Sequence, residues 1–257
     1  MPGKGQEVLD ALRAMPGAEP VLARLAGRPE AWVVGGAVRD ALLGRAPRDL
    51  DVVVEGDAGA LAASLGAVIE THDRFGTLAV DAGEARVNVA TARRESYSRP
   101  GALPDVEPAG IEEDLERRDF TVNAIAVCVA DGALRAVDGA LEDVAARTLR
   151  ALHERSFVDD PTRALRLARY RARLGFGIDP LTERLAGAAE LETVSGSRVG
   201  AEVRLMAAEP DPVAAIAAAN ALGLLGKWTI DEALARRALA LVGGEGSPGL
   251  TALAAAG

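Results

Sequence analysis

The chain has 257 residues, 49% of them hydrophobic, and its 29 basic and 38 acidic side chains give a net charge of −9. That length suits one or two domains with a sizeable core. No run of 18 apolar residues suggests a membrane span, the polar residues 1–6 lack a signal-peptide core, and a cytoplasmic location is expected.

In chain order, residues 6–26 carry Val8, Leu9, Leu12, Val21, Leu22 and Leu25 at helical spacing, broken by Pro16-Gly17. Strands are predicted at 31–34, 50–54, 67–70, 77–80, 86–90 and 124–129, with helices at 37–43, 57–65 and 112–118. Arg99 to Asp105 reads as a turn-rich loop. From Leu141 onward the alternating pattern disappears and Ala, Leu and Arg dominate, so helices are expected. They run to a second loop at 243–249 and a short helix that stops at Gly257. The pattern predicts an α+β head over residues 1–145, followed by an all-helical region over 146–257.

Several motif classes are absent. The single cysteine, Cys128, lies in the apolar run 125–129, and His72 and His153 are far apart, which speaks against disulfides and His/Cys zinc sites. Gly226-Lys227 is followed by Trp228 and has no glycine at position 221, so it is not a P-loop.

Candidate chemistry begins where the predicted strand Ala31–Val34 stops at Gly35-Gly36. Glycines between a strand and a helix start let backbone N–H groups approach phosphate oxygens. Arg39, in the first turn of the helix that follows, is placed to fork onto phosphate. Gly44 reads as the stop of that helix. Asp49 and Asp51, two residues apart, aim to one face of a strand while Leu50 and Val52 turn to a core. Two carboxylates on one rigid edge suit Mg²⁺, which prefers a few carboxylates plus substrate phosphates and serves in-line nucleotidyl transfer. Taken singly, each motif also fits a plain turn or a solvated strand end.

Two further segments carry polar groups at defined places. Arg117-Arg118-Asp119 precedes the apolar strand 124–129; there Arg118 is placed to contact phosphate, Asp119 to accept from a ribose hydroxyl, and Asn123 to orient either. After Pro161, a helix capped by Asp159 or Asp160 puts Arg163, Arg166, Arg169 and Arg173 within about 120° of one face. A capping Asp beside a first-turn Arg offers an acceptor and a donor at fixed separation, a match for the edge of a base. A routine cap with solvated arginines is the plainer alternative.

Together these segments resemble class II tRNA nucleotidyltransferases, the bacterial-type CCA-adding enzymes and their poly(A) polymerase relatives. The resemblance rests on Gly35-Gly36-x-Val38-Arg39-Asp40 with Asp49-Leu50-Asp51, on Arg117 to Ala124, on Asp159 to Tyr170, and on Val194 to Val199 with Glu202. It implies a polymerase β-like nucleotidyltransferase head followed by a helical neck and truncated body. It also implies Mg²⁺ at the catalytic Asp49 and Asp51, and CTP, ATP and the tRNA 3′ end as partners. Nucleotide binding falls to Gly35, Gly36, Arg39, Arg118, Asp119 (ribose discrimination) and Asn123. Base selection falls to Asp160 and Arg163, with Arg166 and Arg169 holding base or triphosphate. A-only, CC-only and poly(A) addition stay open, as does the oligomeric state; the presence of the loop 94–111 disfavours a CC-only form.

Two departures stand out. Asn88 occupies the position where relatives usually carry an acidic residue, and an amide cannot take a proton. About fifty residues follow the fourth segment, fewer than in relatives, and they are not basic. Arg147 to Arg184 holds nine arginines against five acids, yet the whole chain is acidic, so weak and salt-sensitive RNA binding is expected. A non-catalytic nucleotide- or RNA-binding protein is the alternative from a different class.

Overall fold

A computed structural model describes residues 2–47, 49–72, 76–226 and 231–241. Lys227, Trp228 and the loop and helix expected after 242 lie outside the described residues. The order of elements begins α1 (Pro2–Arg13), α2 (Ala18–Leu25), β1 (Ala31–Val34), α3 (Gly36–Leu42), β2 (Leu50–Val54) and α4 (Ala58–Leu65). It continues β3 (Ala67–His72), β4 (Thr77–Asp81), β5 (Arg86–Thr91), β6 (Arg93–Ser96), β7 (Asp105–Pro108), α5 (Ile111–Glu116), β8 (Ile125–Cys128), β9 (Leu134–Ala136) and α6 (Ala140–Ala146). Then come β10 (Thr148–Leu149), α7 (Ser156–Asp159), α8 (Thr162–Leu174), β11 (Gly177–Ile178), α9 (Pro180–Gly187), α10 (Gly196–Ala207), α11 (Pro212–Ala221) and α12 (Glu232–Leu241). The backbone divides into two compact units, one of residues 1–96 and 105–146, the other of 97–104 and 147–257.

In the first unit a seven-stranded sheet runs in the order β3-β4-β5-β2-β1-β8-β9. The run Ala-Trp-Val-Val of β1 is buried at every position because the strand is interior, antiparallel to both β2 and β8. A strand covered on both faces needs a continuous apolar run and not an alternating one. β2 is likewise buried apart from Asp51, and it pairs in parallel with β5, placing Asp51 level with Asn88. α4 starts with Asp57, whose side chain accepts from the N–H of Gly59 and Ala60 and so satisfies two open donors. Leu61, Ala62 and Leu65 on that helix and Leu9, Leu12, Leu22 and Leu25 from α1 and α2 complete the core.

Three features depart from the expectation. β6 and β7 form an antiparallel hairpin in a stretch expected to hold only a loop; its residues are Arg-Arg-Glu-Ser and Asp-Val-Glu-Pro, with no apolar alternation to reveal it. Charge pairing across the strands takes its place, with Arg94 level with Glu107 and bonded to it. β9 adds a short edge strand beyond β8. The second unit is not wholly helical, because β10 and β11 pair in parallel over two residues each.

That second unit is built on α8, whose Ala164, Leu165, Leu167 and Ala168 are buried where it packs on α10 and α11. Gly175 ends α8 in the left-handed conformation at φ +69°. Arg163 and Arg169 are buried too, so the arginine-rich face is not the solvated stripe that spacing alone allows.

Candidate functional site

The chain entering β2 carries the two carboxylates. Asp49 is exposed just before the strand, while Asp51 is half-buried between the buried Leu50 and Val52. Asn88 Nδ2 donates to Asp51 Oδ1 at 2.8 Å, a bond made possible by the parallel register of β2 and β5. Burial pushes the Asp51 carboxyl above the ordinary range; Asn88 and the Arg118 charge pull it back, and the charge of Asp49 adds to the rise. Two nearby carboxylates, one destabilised as an anion, form a place where a cation lowers the energy.

Among the described residues no group of three or more His, Cys, Asp or Glu side chains could hold a metal. Oxygen-only ligation by Asp49 and Asp51 fits a hard divalent cation that keeps water or phosphate oxygens in its shell.

The turn after β1 is built by one glycine of the pair. Gly35 sits at φ 70° and ψ −126°, a conformation for glycine, and an added Cβ would lie 3.0 Å from Arg118 Nη1. Gly36 has no such requirement, since a Cβ there would meet only the tip of Arg39 at 3.5 Å.

Arg39 is fourth in α3 and not in a position to fork outward. Only 2% of it is exposed; Nη1 donates to Asn123 Oδ1 and Nε to Asp40 Oδ1. Asn123 in turn donates from Nδ2 to Asp119 Oδ1 at 3.0 Å, and the same oxygen accepts the Phe120 N–H at 2.9 Å. Arg39, Asn123 and Asp119 therefore form one buried chain of hydrogen bonds. Asn123 orients Asp119, as its chemistry allows, while Arg39 acts on the chain from inside and not as an exposed phosphate fork. The tertiary pairing of α3 with the turn at 121–123 decides this, and helical spacing carries no trace of it.

Arg118 stands beside the Gly35 turn, and Asp114 holds it there. Asp114 is fully buried; its Oδ2 accepts from Arg118 Nη2 at 2.8 Å and its Oδ1 from Arg117 Nε at 2.9 Å. Arg117 also reaches Glu95 at 3.0 Å, which pairs with Arg93 at 3.1 Å. Burial alone would raise the Asp114 carboxyl, but Arg118 and Arg117 outweigh it and hold it below the usual range. Sequence reasoning missed Asp114, although its spacing of three and four residues from two arginines on a helix was the available signal.

The second unit places the base-reading candidates around the start of α8. Asp160, not Asp159, caps the helix: its Oδ1 accepts from Thr162 N at 3.0 Å and Thr162 Oγ1 at 2.6 Å. Asp159 pairs with Arg155 at 2.8 Å instead. Arg163 turns inward, donating from Nη1 to Ser156 Oγ at 2.8 Å and from Nη2 to Tyr97 Oη at 3.5 Å.

Arg166 and Arg169 meet acidic partners brought in by α10 and the turn after it. Arg166 donates to Glu202 at 3.4 Å, and Arg169 to Glu209 at 3.2 Å, with the Arg169 and Glu209 side chains both under 10% exposed. Both guanidinium groups also lie over the Tyr170 ring, at 5.6 and 5.0 Å from its centre. Their charge is matched within the unit by Glu202 and Glu209, so α8 and α10 are joined by these pairs whatever base or triphosphate the arginines also hold. Glu202, in the fourth sequence segment, belongs to this support.

Residues 31–150 match the family described as Poly A polymerase head domain. The chain is 43% identical over 206 residues to an A-adding tRNA nucleotidyltransferase of Geobacter sulfurreducens, covering 76% of this chain and 23% of that protein. It is 38% identical over 224 residues to a CC-adding tRNA nucleotidyltransferase of Deinococcus radiodurans, covering 77% and 59%. A solved CCA-adding enzyme superposes with a TM-score of 0.75 at 37% identity, covering 86% of this chain and 55% of that one. The chain thus spans between about a quarter and three fifths of these relatives' lengths.

Proposed function

We propose that the chain, whose residues 31–150 match the Poly A polymerase head-domain family and which is similar to tRNA nucleotidyltransferases, adds C, A or both to the 3′ end of tRNA from CTP and ATP. The observation that carries this reading is the carboxylate edge, where Asp49 and the Asn88-bonded Asp51 stand together at the entry of β2. Asp49 and Asp51 would hold Mg²⁺, which would neutralise phosphate charge and make the attacking hydroxyl more acidic.

This chain's own groups do the rest. The 3′-hydroxyl oxygen of tRNA forms a bond to the α-phosphorus as the bond to the bridging oxygen breaks, and pyrophosphate leaves with that electron pair. The hydroxyl proton passes to solvent, because the Asn88 amide cannot accept it. Asp119, set by Asn123 and Arg39, accepts from the ribose, and Arg118 with the backbone at Gly36 faces the triphosphate, the Gly35 N–H being taken by the Ile125 carbonyl at 2.9 Å. Asp160 and Arg163 select the base. Relatives at similar identity are named for A, CC and CCA addition, so overall similarity leaves the number and kind of nucleotides to experiment.

The test is incorporation of labelled CTP and ATP with Mg²⁺ on tRNA transcripts ending before CCA or after CC, and on oligo(A). A defined number of added residues on tRNA, lost in Asp49→Ala and Asp51→Ala, supports the proposal and names the subclass. Open-ended A addition on oligo(A) would assign poly(A) synthesis instead. Nucleotide binding without incorporation on any primer, unrescued by Asn88→Asp, refutes catalysis and leaves a nucleotide- or RNA-binding protein.

A further inference from the structure

Asp160 is held by more than its own helix. Thr162 supplies two local donors to Oδ1, and a third comes from α10, where Arg198 Nη2 lies 2.8 Å from the same oxygen. The other terminal nitrogen of Arg198 donates to the carbonyl oxygens of Gly101 at 3.0 Å and Ala102 at 3.4 Å. One guanidinium therefore ties the Asp160 carboxylate to the segment 97–104.

That segment is a firm anchor. The Gly101 N–H donates to the Val158 carbonyl at 3.2 Å. Gly101 has φ +67°, and a Cβ there would lie 2.7 Å from the Thr193 carbonyl oxygen. Its backbone is thus pressed between α7 and the chain leading into α10. Arg198 spans from this anchor to Asp160 with a planar fork of five donors, a bridge that the single ammonium of lysine cannot reproduce. About one fifth of each side chain of the Arg198–Asp160 pair is exposed, so the pair is at the surface of the unit, where a base can reach it.

We infer that Arg198 is a positioning residue that fixes the orientation of the Asp160 carboxylate and thereby takes part in choosing the nucleotide. The inference rests on the reading of Asp160 as a base-contacting group. Removing the fork leaves Asp160 Oδ1 held by the Thr162 donors alone, so the carboxylate loses its tie to the segment 97–104 and the hydrogen-bonding edge offered to a base is no longer single.

The experiment measures kcat/KM for single additions of CTP, ATP, UTP and GTP to a tRNA transcript, with affinities from equilibrium binding, for wild type, Arg198→Met, Arg198→Lys, Asp160→Ala and the Arg198→Met/Asp160→Ala double variant. Arg198→Met is expected to reduce the ratio between the best and the worst nucleotide about tenfold, the loss of one well-placed charged hydrogen bond. Arg198→Lys recovers part of it, and the double variant is no worse than Asp160→Ala alone. A ratio that stays unchanged in Arg198→Met while Asp160→Ala collapses it overturns the role of Arg198 and leaves Asp160 standing, even if the melting temperature falls. An unchanged ratio in Asp160→Ala removes the reading of Asp160, and this inference with it. Should Arg198→Met fail to fold, Arg198→Lys decides, and an unchanged ratio there overturns the inference.

Discussion

Replacing Asp114 by asparagine probes the group that holds Arg118 at the Gly35 turn. The wild-type carboxylate is fully buried and accepts from Arg117 at 2.6 and 2.9 Å, from Arg118 at 2.8 Å and from the Arg93 N–H at 3.3 Å. Breaking a buried ion pair by removing one partner costs about 3–5 kcal/mol. Arg117 keeps Glu95, and the Arg117 and Arg118 side chains are 17% and 16% exposed, so water recovers part of the loss. The low end, about 3 kcal/mol, is therefore expected, or roughly 6–12 °C in Tm for a chain of this size. Urea unfolding of wild type, Asp114→Asn and Asp114→Glu measures it. The pH dependence has a definite sign: a folded carboxyl held below the ordinary value adds stability above about pH 4 and loses it as pH falls through the lower folded value. The gap between wild type and Asp114→Asn should thus be full at pH 7 and shrink below pH 4. A difference under about 1 kcal/mol at pH 7, or one constant down to pH 2, would refute the reasoning.

Three further outcomes follow from the same geometry. Gly35→Ala forces a Cβ into a positive-φ backbone and against Arg118, and is expected to cost about 1–3 kcal/mol, with incorporation reduced more than by Gly36→Ala; equal effects of the two variants would contradict the assignment of the turn to Gly35. Glu209→Ala removes the 3.2 Å partner of the buried Arg169 but leaves Glu202 at 3.6 Å, and is expected to lower stability by about 1–3 kcal/mol, measured by urea unfolding, whereas Glu107→Ala, an exposed partner of Arg94, changes it by less than about 1 kcal/mol. Asn88→Asp sets a third carboxylate against Asp51 and removes the donor it uses, so thermal unfolding in EDTA should show a loss of about 1–3 kcal/mol that millimolar Mg²⁺ offsets; a variant as stable as wild type in EDTA would show that the two side chains do not interact.

Much of the candidate site is legible along the chain because it depends on local rules. The unbroken apolar run 31–34 demands an interior strand, and a strand that must turn sharply into α3 demands glycine at 35, where φ is +70°. The spacing of Asp49 and Asp51 around a buried Leu50 places both carboxylates at one strand entrance. A capping aspartate ahead of Pro161 predicts the start of α8, and Asp160 fills that place. The polar hairpin of β6 and β7 escaped this reasoning because its partner strands are matched by charge and carry no apolar period.

The fate of each charge was a different matter. Arg39 reads along the chain as a fork for phosphate, and the resemblance gives Arg166 and Arg169 base or triphosphate, because helical spacing says which face a side chain shares and nothing of what is packed against that face. Folding brings Asn123 to Arg39, Glu202 and Glu209 to the α8 arginines, and Arg198 to Asp160. Burying a guanidinium is so unfavourable without a hydrogen-bonded partner that tertiary packing has to settle each pair. Composition, period and turn chemistry determined by themselves the principal strands and helices of the first unit and where the carboxylate edge lies; only three-dimensional pairing decided the charged hairpin and the short edge strands, which arginines lie inside and which carboxylates are held in place.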